Sequence, residues 1–123
     1  MDAYEQQLLD GWEDVFKKGQ LTLWIMLALK DGPKHMADIK VFIEKATNGA
    51  LSADDKSMYR ALRRYYDIEM LDFSQEAGKG GPDRKVYKLT DVGLRVLNEF
   101  TKRNISDVFY QPHIRMLIER SDP

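Results

Sequence analysis

Between residues 56 and 64 the chain carries Lys56, Ser57, Tyr59, Arg60, Arg63 and Arg64. This is a dense set of donors suited to phosphate oxygens and to the acceptor edge of guanine. At about 100° per residue, Lys56, Tyr59, Arg60 and Arg63 share one side of a helix with Arg64 at its margin, while Met58, Leu62 and Tyr65 fall on the other. A helix that buries the apolar side against a core therefore holds its cations outward together, as entry into the major groove of DNA requires. Arginine grips guanine or phosphate through a planar fork and lysine supplies a point charge. The hydroxyls of Ser57 and Tyr59 suit the sugar-phosphate backbone.

Other chemistries find little support. There is no cysteine, so thiolate metal sites, disulfides and cysteine nucleophiles are excluded. The two histidines, His35 and His113, are far apart and have no carboxylates at ligand spacing; His35 is expected instead to hydrogen-bond at the start of a helix. Gly78-Lys79-Gly80-Gly81 lacks the spacing of a phosphate-binding loop, and no serine sits in a glycine elbow. No catalytic residue, metal or cofactor is expected.

The elements that position the cationic stripe follow from periodicity and breakers. Residues 4–16 place Tyr4, Leu8, Trp12, Val15 and Phe16 at helical spacing, and Leu21 to Leu29 is apolar on nearly every face. Asp31-Gly32-Pro33 ends that second helix, with Gly32 expected in a left-handed cap. Another helix runs from about Met36 to Thr47, turning Met36, Ile39, Phe42 and Ile43 inward, and Asn48-Gly49 closes it. Ser52 and Asp54 are candidate N-caps for the cationic helix, which reaches about Tyr66.

The period then changes. Met70–Ser74 and Lys85–Leu89 alternate as strands, and the glycine-rich residues 76–84 between them form a hairpin tip. Lys79, Arg84 and Lys85 make this hairpin basic. Thr90 caps a further helix whose face runs through Leu94, Leu97, Phe100 and Thr101 and extends to Ile105, Val108 and Phe109. Pro112 kinks it or starts a new helix with Ile114, Leu117 and Ile118. Three helices followed by a basic hairpin describe a winged helix-turn-helix.

Bulk composition bounds this reading without deciding it. The 123 residues suit one globular domain, 43% hydrophobic and 32% charged, with a net charge of −1. Residues 51–90 hold 8 bases and 7 acids, the only segment with a positive balance. The first residues lack the pattern of a signal peptide, and no apolar run approaches membrane-spanning length, so a cytoplasmic location is expected.

Three segments resemble the PadR family of bacterial winged-helix regulators. Leu27-Ala28-Leu29-Lys30-Asp31-Gly32-Pro33-Lys34-His35 is similar to its leucine-rich helix and Gly-Pro-x-His turn. Ser57-Met58-Tyr59-Arg60-Ala61-Leu62-Arg63-Arg64 is similar to its recognition helix, and Val86-Tyr87-Lys88-Leu89-Thr90-Asp91-Val92-Gly93 to its Tyr-x-Leu-Thr-x-x-Gly signature. The chain departs from the family at Met36-Ala37, where Gly-Tyr is usual, and at Tyr65 and Glu69, where a leucine and a later glycine are common. The short C-terminal arm resembles the compact subgroup.

The resemblance implies a homodimer on an inverted-repeat operator, a DNA contact for Tyr59, and a small-molecule effector near the dimer interface. The fold expected is mainly α with a small β-hairpin: residues 1–18 an N-terminal helix for core or dimer packing, 19–90 the winged helix-turn-helix, and 91–123 a C-terminal dimerisation arm. The DNA-binding residues expected are Lys56, Ser57, Tyr59, Arg60, Arg63, Arg64, Lys79, Arg84 and Lys85. Trp12, Trp24, Phe100, Phe109 and Tyr110 are candidates for an aromatic effector pocket or for ordinary dimer packing. The function implied is transcriptional regulation, most simply repression. The competing expectation is a winged-helix protein-interaction module that never touches DNA, which the slightly negative net charge favours.

Overall fold

The apolar segment Leu21–Asp31 forms helix α2, and its Ile25, Met26, Ala28 and Leu29 are buried at the centre of the core. Helix α3 (Met36–Ala46) adds Ile39 and Ile43, and α4 (Asp55–Asp67) adds Met58 and Leu62. Burying side chains of this size stabilises the fold by about 1.5–3 kcal/mol each. The computed structural model describes residues 1–121. Asp122 and Pro123, the end of the arm expected over 91–123, lie outside the described residues.

Strands β1 (Lys34–His35), β2 (Leu71–Glu76) and β3 (Arg84–Leu89) form an antiparallel sheet in the order β1-β3-β2. The expected small hairpin is thus a three-stranded sheet. Lys34 pairs with Tyr87 and His35 with Val86, which ties the turn after α2 to the hairpin. The hairpin is also longer than expected: Glu76 and Arg84 are a strand pair and not part of the tip, while Met70 precedes β2.

Caps set the helix boundaries. Asp54, of the two candidates, caps α4 by accepting from the Ser57 N–H at 2.7 Å. His35 caps α3, its Nδ1 accepting from the Asp38 N–H at 3.4 Å while Nε2 lies 3.0 Å from the Asp38 carboxylate. Gly32 follows α2 at φ 153°, ψ 163°, which is an extended positive-φ conformation and not the left-handed cap expected. Helix α4 ends in a Schellman motif, with the Met70 N–H bonded to the Tyr65 carbonyl and the Glu69 N–H to that of Tyr66. Glu69 occupies its left-handed position at φ 66°.

Helix α5 (Asp91–Thr101) starts at the expected Thr90 cap and buries Gly93 and Leu97. A Cβ on Gly93 would collide with the Met70 carbonyl oxygen, so glycine is what lets α5 reach the exit of α4. The chain continues through a π-helical stretch (Lys102–Ser106) into α6 (Asp107–Phe109), and Pro112 then opens a separate helix, α7 (Pro112–Glu119). Proline suits that first turn because its missing N–H would have no intrahelical partner.

Helix α1 (Ala3–Lys17) begins with a capping box between Asp2 and Glu5, yet none of its residues is buried. In the single chain, therefore, α1 adds no buried residue to the core. Its apolar face, with Tyr4, Leu8, Val15, Phe16 and Trp12 at 74% exposure, is open in the single chain.

Candidate nucleic-acid interface

Helix α4 is oriented by what it buries. Met58 and Leu62 are sealed in the core, and the Tyr65 hydroxyl shares a 3.0 Å hydrogen bond with Thr22 Oγ1 of α2. Lys56, Tyr59, Arg60, Arg63 and Arg64 are consequently exposed. A 2.6 Å ion pair between Lys40 of α3 and Asp55 of α4 joins the two helices at the start of α4.

The outward residues differ in their freedom. The Arg63 side chain is 84% exposed and only loosely held, with Nε 3.9 Å from Asp67 Oδ2. Arg64 leans over the Tyr65 ring at 5.8 Å, which keeps it at the margin of the face. Ser57 is half-buried and occupied in capping: its backbone N–H first, and then its hydroxyl, hold the Asp54 carboxyl below the usual carboxylate range.

The hairpin stands beside this face. Leu71, Phe73, Gln75, Lys85, Tyr87 and Leu89 share one side of it by register. Phe73 packs between Tyr66 of α4 and Tyr87, at centroid distances of 4.9 and 5.8 Å, and Lys85 Nζ lies 4.6 Å from the Phe73 centroid. The hairpin is thereby braced against the end of α4, with Lys85 turned toward the helix. Arg84, one residue earlier, belongs to the other strand face, and Lys79 is at the exposed tip.

The cations of this surface and those following α5 differ in their pairing. Among the described residues, Lys56, Arg60, Lys79, Arg84 and Lys85 have no carboxylate at ion-pair distance. Lys102, Arg103 and Arg115 of the C-terminal region are all paired, at 2.7, 2.7 and 2.8 Å. A net charge of −1 therefore coexists with a set of exposed cations on α4 and the hairpin.

The sequence model of the PadR-like transcriptional regulator family matches residues 25–99, which cover α2 through most of α5. The chain belongs to the PadR-like family of transcriptional regulators. A PadR-like transcription factor from Bacteroides fragilis is similar at 29% identity over 76% of this chain and 87% of that one, with a TM-score of 0.63. A PadR family regulator from Eggerthella lenta shares the fold along 98% of this chain and 100% of its own, at 19% identity and a TM-score of 0.69. Bacillus subtilis PadR, solved in complex with operator DNA, matches at 20% identity and a TM-score of 0.59 over 84% of this chain and 49% of that one. No curated protein matches the chain.

Within this PadR-like regulator Arg63 and Lys85 line one cleft beside Tyr59 and Arg84 and Lys85 another, whereas the five aromatic candidates are not assembled in one chain. Trp24 is partly buried against the core. Phe109 and Tyr110 line a shallow cleft with Arg115 and Ile118, and Trp12 and Phe100 lie exposed on α1 and α5. Among the described residues no ring contact joins any two of the five. Sequence reasoning marked Tyr87 as a strand residue and as the tyrosine of the family signature but not as a site residue, although it lines the clefts on both sides of Tyr59.

Proposed function

We propose that this regulator binds double-stranded DNA as a homodimer, each protomer placing α4 in the major groove of one half of an inverted-repeat operator. The observation that carries the reading is the set of exposed cations on α4, with Arg63 only loosely held by Asp67, beside a basic hairpin braced at its flank. Arg60, Arg63 and Lys56 approach bases or phosphates, Tyr59 and Ser57 hold the backbone, and Lys79, Arg84 and Lys85 add electrostatic grip. The related Bacillus subtilis protein bound to operator DNA supports this assignment. Repression follows from occupancy of the operator, and the cytoplasm is where a bacterial regulator meets its DNA.

The open apolar face of α1 and the exposed Leu117 and Ile118 of α7 support a dimer, since a second copy would remove both from water. Trp12, Phe100, Phe109 and Tyr110 lie on these terminal elements or beside them. A flat aromatic effector held between protomers would use them and shift the spacing of the two α4 helices.

Fluorescence anisotropy with labelled duplex from the DNA flanking the chain's own coding region, at two salt concentrations and against a scrambled duplex, tests the reading. Tight, salt-sensitive binding that prefers the native duplex is expected, because phosphate contacts release counterions. Absence of binding at low salt would instead favour a protein-interaction module.

A further inference from the structure

Two clefts open on the DNA-facing side, one on each flank of Tyr59. The first, of about 400 Å³, lies between α4 and the hairpin and has Arg63, Asp67 and Phe73 in its walls. The second, of about 520 Å³, lies between the start of α3 and the hairpin and includes His35, Asp83 and Arg84. Tyr59, Lys85 and Tyr87 line both. These three side chains therefore form the saddle between the clefts.

Tyr87 is the unusual member. The residue is 6% exposed, yet its hydroxyl has no hydrogen-bond partner among the described residues. The hydroxyl is not sealed off either, since no side-chain polar atom among the described residues is both fully enclosed and unbonded. A buried hydroxyl without a partner is costly, and one that reaches the surface at a cleft is placed to bond to something that docks there. Beside it Lys85 has a ring beneath it and no carboxylate within ion-pair reach. One ammonium and two phenol donors around a saddle match the oxygens of a singly charged phosphodiester.

We propose that Tyr59, Lys85 and Tyr87 together seat one backbone phosphate of the DNA where the strand passes from α4 to the hairpin, with Tyr87 as a direct contact from the sheet. This rests on the DNA-binding reading above and adds to it a residue outside both the recognition helix and the hairpin tip. Burial first, and the neighbouring Tyr59 second, hold the Tyr87 phenol above its ordinary range, so it remains a neutral donor. Asp67 lines only the first cleft and Asp83 only the second, so each disfavours phosphate in its own cleft but neither is shared by the saddle.

The test compares the full chain with Tyr87→Phe and Lys85→Met on the flanking duplex, by anisotropy over a range of salt and by phosphate-ethylation interference. Tyr87→Phe keeps the ring on Phe73 and should weaken binding about tenfold without changing the salt slope. Lys85→Met should weaken binding and lower the slope by about 1. Both variants should lose interference at the same phosphate of each half-site. If wild type binds and Tyr87→Phe matches it, or weakens while keeping the full interference pattern, the seat is wrong but the DNA reading stands. If wild type does not bind, both fall. Displacement of DNA by micromolar inorganic phosphate at matched ionic strength would overturn the proposal in favour of a free phosphate ligand.

Discussion

Thr90 Oγ1 donates a 2.7 Å hydrogen bond to the Glu69 carbonyl and accepts one of 3.0 Å from the Gly93 N–H. One hydroxyl thus fastens the exit of α4 to the first turn of α5. The orientation of the cationic face depends on that fastening, because Met70 bonds back to Tyr65 within the α4 cap and its carbonyl accepts from the Thr90 N–H at 3.1 Å.

Replacing Thr90 by valine preserves shape and removes both bonds. We expect a loss of about 1–2 kcal/mol in urea unfolding, the usual cost of a lost cap plus an unsatisfied carbonyl. An unchanged midpoint would mean that water replaces the hydroxyl fully.

Glu69 holds a left-handed conformation at φ 66°, where a side chain is strained. Glu69→Gly should raise stability by up to about 1 kcal/mol, the relieved strain exceeding the added freedom of the unfolded chain. Thermal melts of the two proteins decide it, and a lower Tm for the glycine variant would contradict the prediction.

Arg63→Ala should weaken binding to the preferred duplex by about 1–3 kcal/mol if Arg63 reads a base, and relax discrimination against the scrambled one. Lys79→Ala should weaken both duplexes alike and reduce the salt slope by about 1. Neither side chain supports the core, so unfolding curves should superimpose on wild type. Equal losses on both duplexes for Arg63→Ala would assign it to the backbone instead.

The Tyr87 phenol titrates higher in the folded protein than in the unfolded chain because it is buried beside Tyr59. Its contribution to stability is therefore complete below the unfolded value and is lost as pH rises through the folded one. Relative to Tyr87→Phe, wild type should lose stability above about pH 10, the ordinary phenol value. Parallel curves for the two proteins from pH 8 to 11 would show that the phenol has the same environment folded and unfolded.

The departure at Glu69 illustrates how far local signals reach. Glycine is the residue that a left-handed exit from α4 favours, so glutamate there obscured where the helix ends, although the Schellman geometry forms regardless. The two residues of β1 carried no alternation to read, since Lys34 and His35 become a strand only by pairing with Tyr87 and Val86 more than fifty positions away. The ends of the hairpin tip are set in the same way: Glu76 and Arg84 look like loop residues until the register opposes them.

Properties that depend on neighbours a few positions apart were determined by the sequence alone. The two faces of α4, the cap at Thr90, the glycine-rich tip and the winged helix-turn-helix order all follow from periodicity and backbone preference, which act locally. Tertiary structure decided what depends on distant segments meeting. It left α1 without a buried residue, paired Lys102, Arg103 and Arg115 while leaving Lys56, Arg60, Lys79, Arg84 and Lys85 without a carboxylate at ion-pair distance among the described residues, and put Tyr87 with Tyr59 and Lys85 in the walls of both clefts. Those outcomes arise from strand register and helix packing, which no window of sequence contains.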